Sequence, residues 1–149
     1  MIRPATLRQR LILAAAVAFV LDFALGFLGA RFLPASWQIL TLHENSFLQP
    51  VSCTVLAISL CIGGWIGGRR FLPIGVALVL LLQLVALTVL ARIAYAAMPQ
   101  RPLSLVLSSV LGSNVLGLGL QLLAAAIGAL VGTALHRTRA LFPASQDVP

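Results

Sequence analysis

Four long apolar runs separated by short polar breaks set the pattern of this chain. The first covers residues 11–33 and is stopped by Pro34; the second covers 51–68 and meets Arg69 and Arg70. A third follows almost at once over 71–97, ending before Met98 and Pro99, and the fourth covers 103–135. A helix needs roughly 20 apolar residues to cross a hydrocarbon core of about 30 Å. None of the runs alternates with the period of two that marks a barrel strand. The pattern therefore predicts helices, the fourth long enough to tilt or to begin outside the hydrocarbon. The links after the second and third runs are too short for crossovers, so consecutive helices are expected to be antiparallel neighbours. The expected fold class is an all-α integral membrane protein, an up-down bundle of four transmembrane helices. Around it lie an N-terminal segment (1–10), an outer loop (34–50) and a polar, proline-bearing tail (136–149) expected to be disordered.

Lipid tails are as apolar as leucine, so small residues mark the helix faces that touch protein. In the first run Ala15, Ala18, Asp22, Gly26 and Gly29 fall on one narrow stripe at 100° per residue. The second carries two stripes, Ser52, Ser59, Gly63 and Gly67 beside Cys53, Ala57, Cys61, Gly64 and Gly68, which predicts a central helix with neighbours on two sides. Gly117, Gln121, Ala124, Gly128 and Gly132 make a comparable face on the fourth. The third is leucine- and valine-rich, and much of it is expected to face lipid.

Composition agrees with a bilayer. The 149 residues are 60% apolar and 9% charged, whereas soluble domains carry about 25% charged residues. Every one of the ten basic residues is arginine, against three acids. Arg3, Arg8, Arg10, Arg69, Arg70, Arg137 and Arg139 lie on one side of a four-span arrangement, and Arg31, Arg92 and Arg101 on the other. The positive-inside rule then puts both termini in the cytoplasm, with a bacterial inner membrane as the expected location. Orientation accounts for the basicity, so no nucleic-acid partner is expected. The first run is longer than a usual signal core, contains Asp22 and Arg31, and leads into another span, which points to an uncleaved helix. Cys53 and Cys61 are eight residues apart on one predicted helix, about 12 Å of rise, too far for a disulfide.

The candidate chemistry concentrates at mid-depth. Asp22 lies near the middle of the first run, where a charged carboxylate costs at least ~2.5–3.5 kcal/mol on insertion scales. Gln83 and Gln121 are near the middles of the third and fourth runs, so the three can meet at one depth. They form either a proton- or cation-responsive site or a hydrogen-bonded join between helices. Arg31 and Arg92 fall near the outer helix ends, where they would either snorkel to water or receive an anionic lipid or a lipid-linked substrate. The run His43, Glu44, Asn45 in the outer loop lacks a third nearby ligand for a metal and is expected to face water. No cofactor is expected. A membrane aspartic dyad needs two carboxylates, and Asp22 is the only acid within a run. Ser108, Ser109 and Ser113 have no histidine at their depth, His136 being at the far end of that helix.

Asp22 and Asn45 are similar to an acidic residue and an outer-loop asparagine of lipoprotein signal peptidases. The two catalytic aspartates of that family have no counterpart: Gly117 stands where the Asn-x-x-Asp segment begun by Asn114 would carry its acid. In helix count, orientation and the Arg69-Arg70-Phe71 junction, the chain resembles the small four-span flippase-like family that handles polyprenyl-linked sugars. That resemblance implies a non-enzymatic carrier, flippase-like component or small transporter. The alternative is a structural or assembly subunit of a larger complex, homo-oligomeric or with partner membrane subunits, packing through Gly26, Gly29, Gly63, Gly64, Gly67, Gly68, Gly128 and Gly132.

Overall fold

The computed structural model describes residues 6–43 and 46–141. Helices dominate. α1 spans Leu7–Phe32, α2 is the single turn Ala35–Gln38, α3 spans Pro50–Gly67, α4 spans Leu72–Ala97 and α5 spans Leu103–Leu141. A 3-10 turn, Gly68–Phe71, joins α3 to α4. Three unbroken stretches are long and apolar enough to cross a membrane: Leu7–Phe32, Pro50–Ala97 and Leu103–Thr138.

The middle stretch is folded back on itself. A straight helix would separate Leu60 from Gly75 by about 22 Å, yet Leu60 Cδ2 lies 3.6 Å from where a Gly75 Cβ would stand. The reversal occurs at Gly68, whose φ of +64° is open to glycine at little steric cost. Sequence alone assigns Gly68 to a helix face; it belongs instead to the turn, which ends α3 one residue early.

Local chemistry sets the other boundaries. α1 starts at Leu7, inside the expected N-terminal segment, because Thr6 and Gln9 form a reciprocal capping box: Gln9 N donates to Thr6 Oγ1 (3.3 Å) and Thr6 N to Gln9 Oε1 (2.9 Å). At its other end, Gln38 Nε2 donates to the carbonyls of Ala30 (3.2 Å) and Leu33 (2.7 Å). These carbonyls otherwise lack helical partners. Pro50 opens α3, where a missing N–H costs nothing. α5 continues through residues 136–141 of the expected disordered tail, because the end of an apolar run does not break a helix; 142–149 lie outside the described residues.

The expected irregular loop 34–50 holds α2 and an antiparallel hairpin, β1 (Leu40–His43) with β2 (Ser46–Leu48). Leu40 pairs with Leu48 and Thr41 with Phe47, and the register slips between Thr41 and His43. His43 ends β1, while Glu44 and Asn45 lie outside the described residues.

Neighbour relations also depart from chain order. α3 packs most extensively on α5 and then on α1, α4 packs mainly on α5, and α3 touches α4 only sparsely. α5 thus inserts beside α3, where consecutive pairing would have put α4. The reason is backbone proximity: a Cβ on Gly128 would strike the Ala57 carbonyl, and one on Gly132 the Cys61 carbonyl. On the opposite side of α3, Gly63 and Gly67 meet Ala18 and Ala14 of α1: a Cβ on either glycine would stand 3.1 and 3.2 Å from the alanine methyls. The two stripes of α3 therefore face two different helices. α4 buries only Gly75 and Val79.

The core lies toward the end that carries Gly68, here the turn end. Ala14, Ala18, Leu60, Phe71, Val79 and Ala129 cluster there, with Phe71 fully buried against Gly63, Gly67 and Gly75. Across this end, His136 Nδ1 donates to the Trp65 carbonyl (2.6 Å). The opposite, hairpin end is less tightly filled.

Candidate functional site

The polar residues at mid-depth converge. Asp22 from α1, Gln83 from α4 and Gln121 from α5 line one open cavity of about 260 Å³. That is far above the ~10–15 Å³ that holds a single water. Gln83 Nε2 donates to Gln121 Oε1 at 2.6 Å, which ties α4 to α5. This leaves Gln83 Oε1 and the Gln121 amide free to engage a further group. Asp22 is half-buried, and among the described residues its carboxylate has no hydrogen bond or ion pair.

Sequence reasoning missed several lining residues. Asn114, two turns from Gln121 on the same face of α5, lines the same space and donates from Nδ2 to the Val110 carbonyl (2.8 Å). Gln49 and Ser52 lie at the hairpin side of the cavity, with Ser52 Oγ donating to Gln49 Oε1 (3.2 Å). The seven-residue spacing of Asn114 and Gln121 gives both one helical face, a signal visible in the sequence. Gln49, in the loop, had none.

Ser59 adds a second polar group at the level of Asp22. Ala14 lies against Gly67 and Ala18 against Gly63, so the antiparallel α1–α3 register brings residue 22 level with residue 59. Ser59 is fully buried, and among the described residues its Oγ has no partner. Other helix hydroxyls return to carbonyls of the preceding turn, as Thr54 does to Pro50 (2.9 Å) and Thr88 to Leu84 (2.7 Å). A buried hydroxyl without a partner typically costs about 1–3 kcal/mol.

The cavity continues toward the hairpin end. A second pocket, about 190 Å³, shares Gly26, Gln49 and Ser52 with the first and reaches Ala30, Gln38 and Ile39. Gly26 has nothing within 4 Å of its Cβ position, so this wall of α1 is open. Toward the turn end the same axis is filled by Phe71, Leu60 and Val79.

Arg31 and Arg92, both expected near the outer helix ends, do not meet at this cavity. Arg31 is exposed on the last turn of α1, and Arg92 lines a separate groove between α4 and α5. Of the expected packing glycines, Gly63, Gly64, Gly67, Gly128 and Gly132 are all occupied by contacts within the chain, a Cβ on Gly29 would stand 3.0 Å from Val51 Cγ1, and Gly26 does not pack, having nothing within 4 Å among the described residues. Cys53 and Cys61 are free thiols. Among the described residues no three His, Cys, Asp or Glu side chains converge as a metal site would require. No protein-family model, curated protein or solved structure matches this chain.

Proposed function

We propose that this chain is a small polytopic carrier, flippase-like or a small transporter, that exposes a polar site at the bilayer midplane. In this reading α1, α3, α4 and α5 all span a bacterial inner membrane. The hairpin end faces outward and both termini are cytoplasmic, following the arginine distribution. The reading is non-enzymatic and needs no cofactor.

One observation carries it: an unpartnered carboxylate lines an open polar cavity that runs toward one end of the bundle and is packed shut toward the other. A midplane carboxylate is tolerated when water, a proton or a counter-cation reaches it. A carrier must present its site to one side at a time, and an open hairpin end over a closed turn end supports an outward-facing state. Asp22 is the group whose charge changes on loading. Gln83, Gln121 and Asn114 supply neutral donors and acceptors that orient what binds.

The test is infrared difference spectroscopy on the protein in nanodiscs, with Asp22→Asn subtracted to remove every other carboxyl. The expected result is an Asp22 carboxyl signal that follows bulk pH, because water reaches it. A signal indifferent to bulk pH would mean a closed hydrogen bond and would overturn the carrier reading. The alternative, an assembly subunit, has narrower support. Most of its candidate glycines are occupied internally; among the described residues Gly26 on α1 and Gly112 and Gly119 on α5 are open, with nothing within 4 Å.

A further inference from the structure

An apolar recess of about 580 Å³ lies between α4 and α5 near the hairpin end. Leu84, Leu87, Leu103, Leu107 and Leu111 form its walls, and Arg92 and Tyr95 supply its polar groups. Thr88 also lines it, but its hydroxyl already donates to the Leu84 carbonyl (2.7 Å). Arg92 and Tyr95 are three residues apart and so share a face of α4. Arg92 lies five residues before the end of α4 at Ala97, about 8 Å along the axis. That depth is where headgroups begin when the helix spans a bilayer.

Charge adds direction to this shape. The Arg92 guanidinium keeps its charge under all ordinary conditions. Among the described residues it has no carboxylate partner: the one described acid, Asp22, lines the other cavity. A permanent cation at the mouth of a leucine-lined groove complements a molecule with an anionic head and a hydrocarbon tail. Guanidinium binds phosphate oxygens in a bidentate fork, and a tyrosine hydroxyl can donate a further bond. We propose that this groove binds one anionic phospholipid, its chain along the leucines and its phosphate on Arg92 and Tyr95. The site stands independently of the Asp22 carrier. The two are nonetheless adjacent, because Leu87 lines both the groove and the polar cavity and is part of the wall between them.

The experiment is lipid retention by the purified full chain, measured by native mass spectrometry after exchange into micelles holding equal phosphatidylglycerol and phosphatidylcholine. Wild type should keep phosphatidylglycerol about tenfold over phosphatidylcholine: both carry the phosphate, but the choline ammonium brings a second positive charge beside Arg92 that phosphatidylglycerol lacks. Arg92→Gln, at an exposed position, should remove that preference, while Arg31→Gln should leave it intact. Leu107→Trp should fill the groove and reduce retention of both lipids. The proposal fails if Arg92→Gln keeps the preference, or if Arg31→Gln abolishes it equally. It fails as well if Leu107→Trp changes nothing. Glycerol phosphate, which has the head without the chain, should not displace the bound lipid at equal concentration; displacement would make the site one for a free anion and overturn the lipid assignment.

Discussion

Gly128→Ala isolates the contact that orders the bundle. A Cβ at residue 128 would strike the Ala57 carbonyl directly. Backbone cannot rotate away as a side chain can, so α3 and α5 must separate. The neighbouring Gly64 gives the scale: its Cβ would stand 2.8 Å from the Ala129 carbonyl oxygen, where ordinary contact begins at 3.4 Å. Each helix would have to yield several tenths of an ångström along the whole seam. Overpacking of this kind costs about 1–3 kcal/mol, against which alanine recovers up to ~1 kcal/mol of helix propensity. The net expectation is a loss of about 1–2 kcal/mol, a factor of roughly 5–30 in the folded population. Gly119→Ala is the control, because that position is open and should be neutral or slightly stabilising. Detergent-solubilised protein titrated with dodecyl sulfate and followed by tryptophan fluorescence reads both. If Gly128→Ala were as stable as Gly119→Ala, the close backbone seam between α3 and α5 would be wrong.

Two further outcomes follow from the packing. Phe71→Ala should destabilise by about 3–5 kcal/mol in the same titration, since the ring is fully buried at the fold-back; a change under ~1 kcal/mol would mean that the ring does not hold the turn end closed. Gln83→Leu leaves Gln121 Oε1 without its donor and should cost about 1–3 kcal/mol. The double variant with Gln121→Leu should recover most of that loss, and a strictly additive double would refute a direct bond.

How much was visible beforehand depended on the range over which each feature is encoded. The double stripe of α3 is a property of one helix, written at spacings of three and four, and its two faces do meet α1 and α5. Asp22, Gln83 and Gln121 line one cavity, although the α1–α3 register sets Asp22 level with Ser59, deeper toward the turn end. Which helix lies beside which is different: it depends on whose backbone can approach whose, and Gly128 and Gly132 outweigh the short link that invites α3 and α4 to pair. The hairpin in 34–50 was hidden because three residue pairs with a slipped register carry no sustained alternation. The extension of α5 to Leu141 was hidden for another reason. His136, Arg137 and Thr138 end the hydropathy signal without ending the helix.

The same distribution of glycines explains why the polar cavity opens one way. Gly63, Gly64, Gly67 and Gly75 lie in the half of α3 and α4 next to the turn, and Gly128 and Gly132 lie in the matching half of α5. There the backbones come together and Phe71 fills what space is left. Toward the hairpin the inward positions carry larger side chains: Val55 and Leu56 on α3, Leu82 and Gln83 on α4, Leu118 and Gln121 on α5. Helices bearing these cannot approach as closely, so they diverge from the glycine seam and leave a volume that polar groups then line. The position of Asp22 near this change in packing follows from register, since the Ala14–Gly67 and Ala18–Gly63 contacts bring residue 22 to the last level before α1 opens at Gly26. Closing the hairpin end would require α1 and α4 to approach across Gly26, whose empty surroundings allow it, while loosening the turn end would require Phe71 to leave its glycine cradle. Under the proposed carrier reading, alternating access reduces to a competition between an open glycine at one end and an occupied set at the other.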